Sequence, residues 1–324
     1  MRSAVCPEHG PPEAVVVADL PAPEVGAGQV RVAVRAASVN FPDVLICANE
    51  YQIKVPAPFV PGSEFAGVVE AVGEGVDTVA VGDRVFGTVM VGAFAEQVVV
   101  GASSITPTPD AIDDRHACAF GVAHRTAYHS LRAVADTQPG EEVIVLGAGG
   151  GVGLAAVQLA VALGATVTAV ASSDEKLAVA QSMGATRLVN HKAGDLRSAL
   201  KQALPKGADV VIDPVGGALS EPALRALRYG GRFVVIGFAA GEIPRVPLNL
   251  VLLKGSRIMG FEFGSFMRYE TEAMVRGEAE LLALLAAGKA TPHIGASFPL
   301  DQTASALRYV ADGHAIGKVV LDIT

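Results

Sequence analysis

The sequence predicts an α/β protein built as two domains, a small irregular β-barrel followed by a doubly wound parallel sheet. Three observations carry this. Residues before about 118 alternate polar and apolar side chains in short runs, as 29–36 does, broken by Gly and Pro. At 143–146 a short apolar, largely β-branched run, bounded by charge before and glycine after, turns into a helix-favouring stretch. That is the form of a buried parallel strand feeding a helix. From there strand-like and helix-like segments alternate to about 261, the pattern of a parallel sheet covered on both faces.

Taken in order, the barrel strands are clearest at 29–36, 68–72 and 95–100, with turn punctuation at Pro61-Gly62, Gly73, Gly75, Gly82-Asp83 and Gly87. Composition shifts towards helix from about Asp110. Sheet strands are expected at 143–146, 166–171, 188–190, 210–213, 232–236 and 257–261, a complete doubly wound set. A helix at 278–287, a second near 303–312 and a closing strand at 318–323 follow. Because the sheet is complete by Phe261, the tail is expected to return to the first domain. The expected domains are therefore 1–119 joined by 262–324, and 120–261.

With 324 residues, 51% of them hydrophobic, the chain can fill two cores. Its net charge is −8 and no Lys/Arg block occurs, which argues against a nucleic-acid partner. The start, from Met1 to His9, lacks the apolar region of a signal peptide, and a cytoplasmic location is expected. The uncharged span 143–173 is long enough to cross a bilayer, but five glycines within 147–153 break it into strand and helix, so no membrane partner is expected. Cys6, Cys47 and Cys118 lie far apart without a C-x-x-C pair and read as free thiols.

Ala148, Gly150 and Gly153 have the spacing of a G-x-G-x-x-G fingerprint with alanine in the first place, with Gly151 and Val152 between the last two. A side chain at Gly150 would hold the backbone away from a pyrophosphate, and one at Gly153 would hold the helix off its strand. The helix N-terminus then offers N–H groups and a positive dipole end to phosphate. The motif points to a dinucleotide-binding Rossmann domain; a purely structural glycine turn is the alternative.

Further stretches add to this: Ser38-Val39-Asn40-Phe41-Pro42-Asp43, Pro61-Gly62-Ser63-Glu64-Phe65-Ala66-Gly67-Val68-Val69, Val81-Gly82-Asp83-Arg84-Val85, Gly150-Gly151-Val152-Gly153 and Gly317-Lys318-Val319-Val320-Leu321. In this order and spacing the chain resembles, over nearly its whole length, the zinc-independent quinone oxidoreductases of the medium-chain dehydrogenase/reductase superfamily. The resemblance implies a GroES-like β-barrel substrate domain, a Rossmann cofactor domain, an active site in the cleft between them, and a homodimer formed along the 257–261 edge strand. In the superfamily's zinc alcohol dehydrogenases, Cys, His and a second Cys hold the catalytic metal and a four-cysteine lobe holds another. Here Asn40 stands near the first position, Ser63 precedes Glu64 where the His would be, and no cysteine cluster occurs near 86–106. Three N/S ligands are the minimum for a catalytic zinc, so no metal is expected.

The choice of nicotinamide falls at the end of the second strand, about 20 residues past the glycines. There Ser172, Ser173 and Lys176 suit a 2′-phosphate, favouring NADPH, while Asp174 keeps NAD open and Ser173 also reads as a helix N-cap. In the resembling enzymes a Tyr of the following loop touches the phosphate; here that place is His191. The resemblance makes Asn40 and Tyr51 pocket residues able to bond the substrate oxygen that gains charge. Against this, Asn40 also reads as a turn residue and Tyr51 as a surface aromatic. Thr126 is the implied nicotinamide-ribose contact, and Gly237, Phe238 and Ala239 the implied backbone contacts of the carboxamide. Lys318 would meet cofactor phosphate or else pair with Glu64. Phe261 and Phe263 read equally as cleft wall or core, and no role follows for Arg125. Without a metal to polarise a carbonyl, hydride transfer from NADPH to a quinone or an α,β-unsaturated carbonyl is the expected chemistry. The alternatives are an enoyl-thioester reductase, with Arg268 and Arg276 as candidates to meet carrier phosphates, and a nucleotide-binding sensor without turnover.

Overall fold

The computed structural model describes residues 1–323. In chain order the strands are β1 (Arg2–Val5), β2 (Val16–Asp19), β3 (Gln29–Val39), β4 (Glu64–Val72), β5 (Arg84–Thr88), β6 (Gln97–Gly101), β7 (Ile105–Pro107), β8 (Glu142–Leu146), β9 (Thr166–Ala171), β10 (Arg187–Asn190), β11 (Ala208–Asp213), β12 (Leu227–Val235), β13 (Arg257–Gly260), β14 (Ile294–Pro299) and β15 (Lys318–Asp322). The helices are α1 (Phe41–Cys47), α2 (Asp114–Cys118), α3 (Gly121–His129), α4 (Gly151–Ala162), α5 (Asp174–Ser182), α6 (Leu196–Ala203), α7 (Ser220–Arg225), α8 (Leu248–Lys254), α9 (Phe263–Tyr269), α10 (Thr271–Ala286) and α11 (Thr303–Ala311). The chain forms two units. Unit 1 runs from Met1 to Val122 and resumes at His293; unit 2 is Ala123–Pro292.

Unit 1 is built on the sheet β14-β15-β3-β4-β5-β7, with β6 also paired to β3. The long strand β3 organises it. Over its first half buried and half-exposed residues alternate, and from Ala36 to Val39 every residue is buried. Its end pairs antiparallel with both neighbours, Ser38 with Glu64 of β4 and Val39 with Val319 of β15. Three strand ends therefore meet at one place, which becomes the site described below. Val30, Val32, Val34, Phe65, Phe94, Leu307 and Val319 fill the core beneath.

Unit 2 carries six parallel strands in the order β10-β9-β8-β11-β12-β13. This is the doubly wound order, with β8 at the point where the direction of winding reverses. Val143, Ile144, Val145 and Leu146 are fully buried, as an uncharged strand covered on both faces must be. Among the described residues no helix is long and apolar enough to cross a membrane.

The return of the chain to unit 1 begins at His293 rather than 262, and unit 2 begins at Ala123 rather than 120. Helices α9 and α10 stay with unit 2 because α10 buries Gly277, Leu281 and Leu285 there. A Cβ at Gly277 would stand 2.6 Å from the His129 ring and 2.8 Å from that of Tyr128, so the glycine lets α10 lie directly on α3. Two elements also start earlier than their apolar pattern does. β4 begins at the fully buried Glu64, and β12 at Leu227, where its pairing with β11 is irregular.

Candidate active site

In unit 2 the turn after β8 opens directly into the N-terminus of α4. Gly150 is the N-cap of α4 and contributes no side chain, so the first-turn N–H groups of a twelve-residue helix are left without a side-chain acceptor. A Cβ at Gly153 would sit 2.0 Å from the Gly147 carbonyl oxygen, which ties the helix directly to the turn. A Cβ at Gly150 would meet only that oxygen, at 3.6 Å, so the space before it is open. Ala148 is buried and takes the first place of the fingerprint with its methyl inside the core. Gly151 and Val152 are the first residues of α4.

Beside this turn lies a basic edge. The Lys176 stem crosses Gly149 so closely that a Cβ there would be 2.6 Å from it. Ser173 caps α5, its Oγ accepting from Lys176 N–H at 3.3 Å, with Ser172 half-buried before it. His191 N–H donates to the Ala171 carbonyl at 3.0 Å, which brings the imidazole to the same strand ends. Burial lowers the Lys176 pKa, and burial together with the Lys192 and Lys176 cations lowers that of His191. Asp174 instead accepts from Asn190 Nδ2 at 2.8 Å in an exposed pair. The cap and the basic edge thus coexist.

Asp213, not singled out in the sequence, locks the loops at the other strand ends. Its buried carboxylate accepts from Val215 N–H at 2.9 Å, Gly216 N–H at 2.8 Å and Ser220 Oγ at 2.6 Å. A lone carboxylate ending a fully buried strand before Pro214-Val215-Gly216-Gly217 was the available signal. The Gly237 and Ala239 N–H groups donate to the carbonyls of Asp213 (3.4 Å) and Pro214 (3.2 Å), and the Phe238 carbonyl accepts from Gly241 N–H at 2.8 Å. The expectation that all three residues offer backbone groups to a carboxamide narrows accordingly.

On α3, Thr126 is buried, and Arg125 gains an account. Its guanidinium holds the Glu278 carboxylate through Nε at 3.1 and 3.0 Å and through Nη2 at 2.5 Å, while Tyr128 donates to Glu280 at 2.6 Å. Phe261 is core, its ring tilted against that of Phe266, whose centroid in turn lies 4.8 Å from that of the His129 ring, and Phe263 is half-buried. Burial pushes the His129 pKa down to about 4, so it is neutral and structural. Arg276 lies 3.4 Å from Glu272 in an exposed pair, and Arg268 covers the Tyr269 ring.

In unit 1 the three strand ends hold a buried polar network. Asn40 follows β3 directly and caps α1, its N–H donating to Asp43 Oδ2 at 2.7 Å. Lys318, the first residue of β15, donates from Nζ to Asn40 Oδ1 at 2.6 Å and to Glu64 Oε2 at 2.8 Å. Asn40 Nδ2 donates to the same Glu64 oxygen at 2.8 Å and to Ser63 Oγ at 3.2 Å. Glu64 Oε1 accepts from Val122 N–H. Two sequence expectations narrow here. Lys318 is 4% exposed and Glu64 0%, so the lysine forms the interior ion pair that is the second of its two sequence readings, because the strand register places the two chain segments side by side. The amide of Asn40 is engaged at both ends within this network, which makes it an organiser of the site more than a group turned to substrate. Ser63, half-buried, is the member nearest solvent. Tyr51 is half-buried too, at the end of the turn after α1, its N–H donating to the Leu45 carbonyl at 3.2 Å. Cys6, Cys47 and Cys118 are buried free thiols.

A barrel of this kind and a doubly wound nucleotide sheet define a two-domain dehydrogenase/reductase, and family profiles agree. Residues 26–110 match the alcohol dehydrogenase GroES-like domain and 151–277 the zinc-binding dehydrogenase domain. Quinone oxidoreductase-like protein 2 of Bos taurus is 38% identical over 324 residues, covering 99% of this chain and 92% of the relative. The structure of Escherichia coli quinone oxidoreductase complexed with NADPH superposes with a TM-score of 0.92 at 27% identity, covering 99% of this chain and 100% of that one. A structure named as an NAD-dependent alcohol dehydrogenase gives 0.91 at 31%, covering 100% of both. The chain belongs to the quinone oxidoreductase family of the medium-chain dehydrogenase/reductase superfamily and is an oxidoreductase.

The second profile's description raises zinc, and the donor set does not fit it. Among the described residues no group of three or more His, Cys, Asp or Glu side chains is arranged to hold a metal ion. Where the zinc enzymes carry Cys and His, this chain has an amide and a hydroxyl bonded to each other, with an ammonium 2.6 Å from the amide oxygen. A neutral pair beside a fixed cation is a poor seat for a divalent metal.

Proposed function

We propose that this protein is an NADPH-dependent reductase that transfers hydride to a quinone or an α,β-unsaturated carbonyl without a metal. The observation that carries the reading is the replacement of metal ligands by the Asn40–Ser63 pair held on the Lys318–Glu64 ion pair. Such a site has no Lewis acid for alcohol oxidation, whereas reduction of an activated acceptor needs positioning and a polar partner for the oxygen that gains charge. Unit 2 would hold the dinucleotide through the α4 N-terminus, with Lys176, Ser172, Ser173 and His191 receiving the 2′-phosphate and Thr126 the nicotinamide ribose. The bound group supplies the hydride. Tyr51 and Ser63 offer the hydroxyls that would meet the acceptor.

The same reading takes the protein as a cytoplasmic homodimer. Its support is the edge strand β13 with the neighbouring α8, where Leu248, Leu252 and Leu253 are 76%, 81% and 72% exposed in the single chain. An unpaired strand edge flanked by exposed leucines suits a second copy.

Absorbance of NADPH, and of NADH in parallel, followed against 1,4-benzoquinone, 9,10-phenanthrenequinone and an alkenal, with and without a chelator, tests the reading. Chelator-insensitive oxidation of NADPH in preference to NADH is the expected result. Loss of activity on chelation overturns the metal-free site, and preference for NADH overturns the role of Lys176.

A further inference from the structure

Reduction by hydride leaves a negative charge on the acceptor, and a proton must neutralise it. The polar network of unit 1 contains a group not yet given a role. Asp43 is 1% exposed and receives the Asn40 N–H on Oδ2 at 2.7 Å, with the Ser63 hydroxyl beside its carboxyl. Around it stand Glu64 of β4, Lys318 of β15, and Cys47 farther along its own helix. Two carboxyl groups thus share one cation in the interior. The sharing is unequal: Glu64 receives Lys318 Nζ, Asn40 Nδ2 and Val122 N–H, whereas Asp43 has one backbone donor and the adjacent Ser63 hydroxyl. A buried excess carboxyl retains its proton. Burial raises the Asp43 pKa, the Asn40 and Ser63 hydrogen bonds oppose it, the Glu64 charge adds to the rise and the Lys318 cation subtracts from it, which leaves the group at about 7.

We propose that Asp43 is the proton reservoir of the reduction and passes its carboxyl proton through the Ser63 hydroxyl to the acceptor oxygen. The inference rests on the reductase reading above. Ser63 fits the relay because it lies beside the Asp43 carboxyl, accepts from Asn40 Nδ2 at 3.2 Å, and is the half-buried member of the network. The step balances. One hydride from NADPH brings two electrons to the quinone, the Ser63 O–H bond breaks as the new O–H bond forms on the acceptor, and Ser63 takes the Asp43 proton in its place. The product is the hydroquinone, Asp43 is left as carboxylate, and water returns its proton between turnovers. Asp43 acts through Ser63 and does not touch the acceptor.

The test compares the wild type with Asp43→Asn, Ser63→Ala and Ser63→Thr. Asparagine keeps an oxygen for the Asn40 N–H but carries no exchangeable acid proton. With NADPH and an enone or quinone, kcat is measured from about pH 5.5 to about pH 9, bracketing the group's titration. The wild-type kcat is expected to fall as pH passes about 7. Asp43→Asn and Ser63→Ala are expected to lower kcat by on the order of 100-fold at acid pH with little change in KM for NADPH, and to flatten the profile; Ser63→Thr restores it. Independently of turnover, infrared difference spectra are expected to show a protonated carboxyl band at about pH 6 that is lost by about pH 9 and is absent from Asp43→Asn. Variants with wild-type rates and an unchanged pH profile would overturn the proposal, as would absence of that band. If the reductase reading itself is at fault, the wild type will fail to oxidise NADPH with any acceptor.

Discussion

Lys318, Glu64 and Asn40 form a triad in which each group exists to satisfy the others. Removing one charge of a buried pair costs more than removing both, because the survivor is left desolvated and alone. Lys318→Met is therefore expected to destabilise the protein by about 3–5 kcal/mol, and the double variant Glu64→Gln/Lys318→Met to recover part of that loss. Denaturant unfolding of the wild type, Lys318→Met, Glu64→Gln and the double variant measures the coupling; additive losses would mean that the pair contributes nothing as a pair. His129 gives a pH dependence at the same scale. Its folded pKa lies near 4, below the ordinary value of about 6.5, so below that value the unfolded chain binds a proton the native state refuses. Its contribution is fully present above about pH 6.5 and lost as pH falls towards 4. Thermal melts of His129→Gln against the wild type are expected to converge as the solution is acidified across that window.

Elements present the chemistry that residues only supply. Lys176 is placed for the proposed phosphate contact because α5 begins at the end of β9 and its stem crosses Gly149. Lys176→Ala is expected to raise KM for NADPH by about tenfold, the equivalent of about 1.4 kcal/mol, and to leave KM for NADH nearly unchanged. Equal effects on both would place the lysine at the shared pyrophosphate. Gly153→Ala is a harsher change, since its methyl would meet the Gly147 carbonyl oxygen at 2.0 Å. Dinucleotide binding, read by fluorescence titration, is expected to be lost while far-ultraviolet dichroism is retained.

At the scale of the whole molecule, the exposed leucines of α8 beside the β13 edge are the surface on which the proposed homodimer rests. Leu252→Glu together with Leu253→Glu is expected to convert a dimer to a monomer in sedimentation velocity, with little change in dichroism. A wild type that sediments as a monomer would remove the homodimer from the proposed function. The division of the chain also belongs to this scale. Helix α10 stays with unit 2 because Gly277 admits the Tyr128 and His129 rings and Arg125 clasps Glu278. These contacts join residues about 150 positions apart in the chain, beyond the reach of local periodicity.

What the sequence determined by itself was local and periodic. The uncharged β8 run, the glycine spacing after it and the alternation that follows dictate a parallel sheet with a glycine turn opening into a helix, since a strand buried on both faces cannot carry charge and a close helix–turn contact admits only glycine. The loss of cysteine and histidine at positions 40 and 63 was equally legible, being a matter of residue type. Only the tertiary structure decided where charge is hidden. Whether Lys318 meets a phosphate or Glu64 and whether Asn40 faces outward or inward depend on strand register and on partners 254 and 278 positions apart, while the interior position of Asp43 and of Asp213 follows from the burial of the first turn of α1 and of the end of β11. A charged side chain looks the same in sequence whether solvated or buried; desolvation and the partner that offsets it exist only once the chain has closed around them.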